Sequence, residues 1–350
     1  MAKKTQGADD GAFRKLKQDL SAGTPGTAYL LYGEESYLRE YYLGELKKCL
    51  VPPGAEEFNF HRAEGKDLTV QALAEMAEAM PMMSERTMIA VSDFDMYKLN
   101  EEQRERLIAL LCDLPPYCCI VFVYDTLEYK PNRTMKKLYA AIEKHVETVE
   151  FRAAGDSDLV DWIGRRFRAM GKEIDRTAAE YLIFTCGNLM TGLVPEITKI
   201  GTYARGKKIT EKDIDAVADP VLSAEAFRLS DAVLAGDYNR AAGILGDLLK
   251  MQTEPILLLG MLGSQLRRIY TARLALDHGK DRRWLMDLWG YSSDYPVKLL
   301  LTAAKKTTLV WCGNAVKLCQ VLDRRLKSEK GIDGPGEMKL LLVRLGAQRA

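Results

Sequence analysis

Apolar positions along the chain fall into two regimes. Up to about residue 152, short apolar runs alternate with segments whose apolar residues recur every three or four positions; beyond it only the longer period continues. Ala28-Tyr29-Leu30-Leu31-Tyr32, Thr87 to Val91 and Tyr117 to Tyr124 have the length and the β-branched or aromatic content of buried strands. Phe58 to His61 and Val146 to Phe151 predict two shorter ones. Between them, Phe13 to Leu20, Ser36 to about Cys49, Val70 to Ala79, Glu101 to Leu111 and Thr134 to Lys144 predict helices. Strands of this kind alternating with helices predict a parallel sheet covered on both faces.

From Gly155 onward no strand is expected. Ser157 is a candidate cap for a helix carrying Leu159, Ile163, Phe167 and Met170 on one side, and Asp175 for the next, which ends at Gly187. Asn188 to Ala204 follows, interrupted at Pro195, and Thr210-Glu211-Lys212-Asp213 reads as a capping box. Asp219-Pro220 marks a boundary. Longer helices come after it, over Glu225 to Leu234, Asn239 to Met251, Pro255 to Asp277, Trp284 to Trp289, Pro296 to Lys306, Leu309 to Lys327 and Glu337 to Leu345. The third carries a broad apolar stripe (Leu257, Leu258, Met261, Leu262, Leu266, Ile269), which is either core or a subunit interface. The expected organisation is an α/β domain over 1–152, a small helical domain over 153–220 and a second helical domain over 221–350.

Composition narrows the chemistry. The 350 residues exceed one comfortable core, and 47% hydrophobic with 28% charged residues is ordinary for a soluble globular protein. A net charge of +1 excludes a globally basic nucleic-acid binder. Any DNA contact must come from local pairs such as Arg267 with Arg268, Arg282 with Arg283, Lys305 with Lys306, or Arg324 with Arg325, and on helices such pairs usually form a solvated face. Seven cysteines, an odd number without C-x-x-C spacing, fit buried free thiols in a reducing cytoplasm. Three histidines give a metal centre or a Ser-His-Asp triad little material. No apolar stretch follows Lys3 and Lys4 to make a secretory signal, and no run reaches membrane-spanning length.

The turn after the first strand is where a P-loop would stand. That loop needs glycines whose amides cradle phosphate, a lysine on the outer phosphates and a hydroxyl for magnesium. Here it reads Gly33-Glu34-Glu35-Ser36. The lysine is missing, and two carboxylates are expected where phosphate would sit, repelling it at contact range. Gly23-Thr24-Pro25-Gly26 precedes the strand and is only a turn. Asp93, Asp95, Asp125 and Thr126 follow later strands, where solvated loops are expected.

Ala79-Met80-Pro81-Met82-Met83-Ser84-Glu85-Arg86 joins a helix to a strand with two adjacent thioethers behind a proline. Met82 and Met83 either plug the bottom of their own sheet or face a partner, for which a flexible, polarizable side chain is suited.

Tyr29-Leu30-Leu31-Tyr32-Gly33-Glu34-Glu35-Ser36-Tyr37-Leu38 resembles the opening signature of the delta-subunit family of the bacterial DNA polymerase III clamp loader. Gly187-Asn188 with Leu193 and Glu196-Ile197 looks like that family's second-domain motif, and Ile209-Thr210 like the start of its last short helix. Phe227-Arg228-Leu229-Ser230-Asp231-Ala232 resembles the entry to its third domain, and Leu322-Asp323 with Leu326-Lys327-Ser328 its C-terminal helix. The order and spacing of these pieces carry the likeness. It implies an AAA+-type α/β module without ATPase function, a helical lid and a helical collar. It further implies a cytoplasmic protein with no active site or cofactor of its own, ATP being bound by partner subunits. The implied partners are the other clamp-loader subunits (gamma/tau and delta-prime), primer-template DNA within the assembled complex, and the sliding clamp (beta), one of whose interfaces this subunit would hold open. Pro81, Met82 and Met83 occupy the family's clamp-binding position; relatives commonly carry Leu-Phe or Phe-Phe there, so Met-Met keeps the bulk and loses the ring. In that context the partner-facing reading of the two methionines is favoured. Two alternatives are an active AAA+ or P-loop NTPase, opposed by the missing lysine and second glycine, and a stand-alone helical DNA-binding protein, opposed by the near-zero net charge.

Overall fold

The computed structural model describes residues 9–291 and 294–348. They divide into two units, one reaching to Ala153 and including residues 189–191, the other running from Ala154 onward without those three.

The first unit runs α1 (Asp9–Ala22), β1 (Ala28–Tyr32), α2 (Ser36–Leu50), α3 (Glu56–Asn59), β2 (Phe60–Glu64), α4 (Val70–Glu78), β3 (Thr87–Ser92), α5 (Glu101–Cys112), β4 (Cys118–Val123), α6 (Lys136–His145) and β5 (Glu147–Glu150). Its five strands pair in the order β2-β3-β4-β1-β5, every pair parallel. Leu30 is level with Phe122 on one side and Thr148 on the other. Side chains alternate across the sheet, so two separate cores form. Leu30, Ile89, Ile120 and Phe122 pack with Leu73, Leu107, Leu138 and Ile142 on one face; Tyr29, Leu31, Met88 and Val121 pack with Leu16, Leu43 and Leu46 on the other. This double burial is why the strands read as continuous apolar runs. Thr69 caps α4 through its hydroxyl, and Asn100 with Gln103 form a capping box on α5. The strand expected from Phe58 starts only at Phe60, because residues 56–59 make one helical turn first.

The second unit comprises α7 (Asp156–Ala169), β6 (Glu173–Ile174), α8 (Arg176–Cys186), α9 (Met190–Tyr203, its first two residues grouped with the first unit), β7 (Lys208–Ile209), α10 (Glu211–Val217), α11 (Leu222–Ala235), α12 (Tyr238–Lys250), α13 (Pro255–Asp277), α14 (Arg282–Trp289), α15 (Tyr295–Lys305), α16 (Leu309–Ser328) and α17 (Gly334–Ala347). Three expectations are corrected here. Strands do occur after Gly155: β6 and β7 pair in parallel, Ile174 opposite Ile209, each too short to leave a period in the sequence. Gly155, not Ser157, caps α7, and Asp156 and Asp158 then lie in its first turn, where the helix dipole favours them. Pro195 does not interrupt α9; Leu193, Ile197 and Ile200 are buried along it, and this packing outweighs the missing N–H. The core from α11 to α17 is one continuous cluster built on Leu258, Leu262, Leu266 and Ile269, so most of the α13 stripe is core, whereas Leu257 is exposed.

Candidate docking loop and the phosphate-side turn

All five strands run the same way, so the loop before β3 and the turn after β1 lie at opposite edges of the sheet. At the edge where strands begin, the 79–86 loop is fixed by its backbone. Asn59, wholly buried, accepts the Met82 N–H at 2.8 Å and donates to the Met82 carbonyl at 2.6 Å. Arg86 donates to the carbonyls of Pro25 at 2.6 Å and Gly26 at 2.9 Å, and the Ser84 hydroxyl donates to the Arg86 carbonyl. With the main chain so held, the side chains stand out: Pro81 is half-buried, but Met82 is 56% exposed, Met83 89% and Met80 78%. The methionines do not plug their own sheet. Met83 also sits at φ 55°, a left-handed conformation that costs a non-glycine residue about 1 kcal/mol or more and persists only where neighbours impose it. Sequence reasoning missed Asn59, Arg86 and the exposure of Met80. A lone buried asparagine has no periodic signature; only its place just ahead of a strand, where turn residues gather, set it apart.

At the opposite edge, the turn after β1 is closed by the protein's own groups. Gly33 has φ 117° and lies on the Phe151 backbone, so closely that a Cβ would stand 2.3 Å from the Phe151 oxygen. Glu34 accepts the Ala153 N–H at 3.2 Å. Glu35 is wholly buried and accepts the Met190 N–H at 2.9 Å, while the Ser36 hydroxyl pairs with that of Thr191 at 2.8 Å. The expectation of two carboxylates facing the phosphate position is therefore corrected: Glu35 is turned inward onto residues 190–191. Burial raises its pKa, against the lowering effect of the Met190 and Thr191 donors.

Two further side chains are tied down at this edge. Arg39 of α2 is 2% exposed; it donates to the Gly33 carbonyl at 2.7 Å and forms an ion pair with Asp125, while its buried Nε has no hydrogen-bond partner among the described residues. Asp93 accepts the backbone N–H groups of Asp125, Thr126 and Leu127 at 2.8, 3.1 and 3.0 Å and the Thr126 hydroxyl at 2.6 Å. Successive amides after β4 make an anion-binding nest, and a carboxylate of the same chain occupies it. Burial pushes the Asp93 pKa up, but these donors outweigh it and hold the group below its ordinary value. Asp93 is thus a tied carboxylate and not part of a solvated loop. The cleft of about 510 Å³ beside it is lined by Glu34, Asp125, Glu128 and Glu150 against Arg152, a charge balance unfavourable to phosphate.

The Arg267–Arg268 and Arg324–Arg325 pairs do not converge. Gly263 of α13 packs against Cys319 of α16, and Pro255 lies beside Leu326 at Gly334, so the two helices run antiparallel. Arg267 lies on one side of the Gly263–Cys319 contact and Arg324 on the other, roughly 13 Å apart along the axes. Arg325 is engaged by Glu329 and Glu337, and Arg268 stacks on Tyr291 at 5.5 Å, leaving Arg267 and Arg324 as the exposed members. Among the described residues, no group of three or more His, Cys, Asp or Glu is placed to hold a metal ion, and no helix is long and apolar enough to cross a membrane. Five cysteines are buried as expected; Cys49 and Cys112 are exposed.

Two family models match the chain, one described as DNA polymerase III, delta subunit, over residues 29–151, the other as DNA polymerase III delta subunit, C-terminal domain, over residues 223–345. The DNA polymerase III subunit delta of Bacillus subtilis (strain 168) is 24% identical over 273 residues, 75% of this chain and 77% of that protein. The probable DNA polymerase III subunit delta of Aquifex aeolicus (strain VF5) is 24% identical over 272 residues, 76% of each. In fold, the chain is similar to the solved Bacillus subtilis DNA clamp loader delta protein, with a TM-score of 0.50 at 22% identity over 96% of this chain and 99% of that one.

Proposed function

Because this chain belongs to the DNA polymerase III delta-subunit family, we propose that it is the clamp-loader subunit that grips the sliding clamp through Pro81, Met82 and Met83 and holds one clamp interface open. The observation that carries this reading is the pair of large apolar side chains standing in solvent on a loop whose backbone is tied down. Burying each in a clamp pocket contributes roughly 1.5 to 3 kcal/mol, less the entropy of ordering it. Tight binding alone opens nothing. The tip must bind the opened interface better than the closed one, since equal affinity for both shifts no population.

In the same reading the chain is an accessory subunit without an active site, and ATP is bound by partner subunits. Support comes from the phosphate-side edge, where Arg39 is spent on Gly33 and Asp125, and Asp93 fills the amide nest. Residues 153–220 act as the lid and 221–350 as the collar that joins the gamma/tau and delta-prime subunits in the cytoplasm, with Arg267 and Arg324 available to primer-template DNA in the assembled complex. The test mixes the purified chain with its own sliding clamp and measures complex formation and release of clamp from circular DNA. Met82→Ala with Met83→Ala is expected to weaken binding about a hundredfold or more. Unchanged binding would overturn the assignment of the tip.

A further inference from the structure

We propose that Asn59 is the positioning residue of the docking tip: its buried carboxamide fixes the Met82 backbone so that Met82 and Met83 are presented before the clamp arrives. This rests on the clamp-docking reading above. An exposed methionine gains nothing from water, and an untied loop would lay its thioethers against the apolar end of the sheet. Asn59 prevents that by spending both halves of its amide on one residue, Oδ1 on the Met82 N–H and Nδ2 on the Met82 carbonyl. Nδ2 also donates to the Ala55 carbonyl at 2.9 Å. With one N–H and two carbonyl partners, a single orientation of the amide satisfies all three.

The anchor is itself rigidly mounted. Asn59 ends α3 and immediately precedes Phe60, which is level with Met88 in the sheet, so the tie runs from the sheet edge to the loop apex. It is wholly buried, where hydrogen bonds are strengthened by the low local dielectric. Ser84 and Arg86 secure the C-terminal limb of the loop, whereas Asn59 holds the residue that bears the first thioether, next to Met83 in its left-handed conformation. Without Asn59 the presented arrangement becomes one of several, and apparent clamp affinity falls by the fraction of chains that still hold it.

A double-mutant cycle with the full chain and its sliding clamp tests this. Asn59→Ala is expected to weaken clamp binding about tenfold in the natural sequence. In the Met82→Ala, Met83→Ala background the same change is expected to alter the residual affinity by less than about twofold, because the group acts only through the tip. Equal losses in both backgrounds, or none in the natural sequence, overturn the positioning role while leaving the tip assignment standing. An unaltered affinity of the double methionine variant overturns that assignment, and the positioning role with it. If Asn59→Ala does not fold, Asn59→Asp goes through the same cycle; it keeps the acceptor for the Met82 N–H and loses the donor to the Met82 carbonyl.

Discussion

Single residues at the phosphate-side edge tie the turn after β1 and the loop after β4 to distant parts of the chain, and their contributions are measurable. Arg39→Ala removes the donor to Gly33 and leaves a cavity in the first unit; because Asp125 is 57% exposed, its charge returns to water. The expected loss is about 2 to 3 kcal/mol in urea unfolding. Glu35 gives a pH signature. Its pKa in the folded chain is raised above the ordinary 4.5, so its contribution to stability is present below that value and is lost as pH rises through the folded value. The stability of the natural chain relative to Glu35→Gln should therefore fall as pH rises above the ordinary 4.5. A difference that stays flat across this range, measured by unfolding at a series of pH values, would contradict the inward placement of Glu35. The lost lysine at this turn was legible in the sequence, but the destinations of Arg39, Glu35 and Asp93 were not. Each is decided by a partner far along the chain, such as Asp93 on Thr126 or Glu35 on Met190, and no local period records such a pairing.

Elements were legible where local chemistry and tertiary packing agree. Ala28–Tyr32 and Pro255–Asp277 have the expected bounds because an unbroken apolar run, or a proline at the first helical position and a long apolar stripe, decides them locally. The paired β6 and β7 were missed because two residues cannot display a period, and Pro195 was misread because propensity yields to burial in α9. The 79–86 loop is the element in which stability and function are opposed. Met83→Gly relieves the positive φ and should leave the chain as stable or up to about 1 kcal/mol more stable. The same change should lower clamp affinity at least about tenfold, since an apolar anchor is gone. Thermal unfolding and clamp titration of this one variant, moving in opposite directions, would establish the opposition; a parallel loss in both would refute it.

Across the whole molecule, two units with separate cores should not melt as one. Calorimetry is expected to resolve more than one transition, and Asn100→Ala should lower only that of the first unit, by about 1 kcal/mol for its lost cap. In the assembled loader, Arg267→Ala and Arg324→Ala should each reduce the salt dependence of DNA binding by about one counterion, while Arg325→Ala should leave it unchanged because Glu329 and Glu337 hold that side chain. The parallel sheet keeps the methionine tip and the amide nest at opposite ends of β3 and β4, and the nest has a consequence for descent. Seating a triphosphate there would require evicting Asp93, freeing Arg39 and supplying a lysine in the Gly33 turn together. Evicting Asp93 or freeing Arg39 alone removes a stabilising tie, so single substitutions at these two positions are expected to cost stability first.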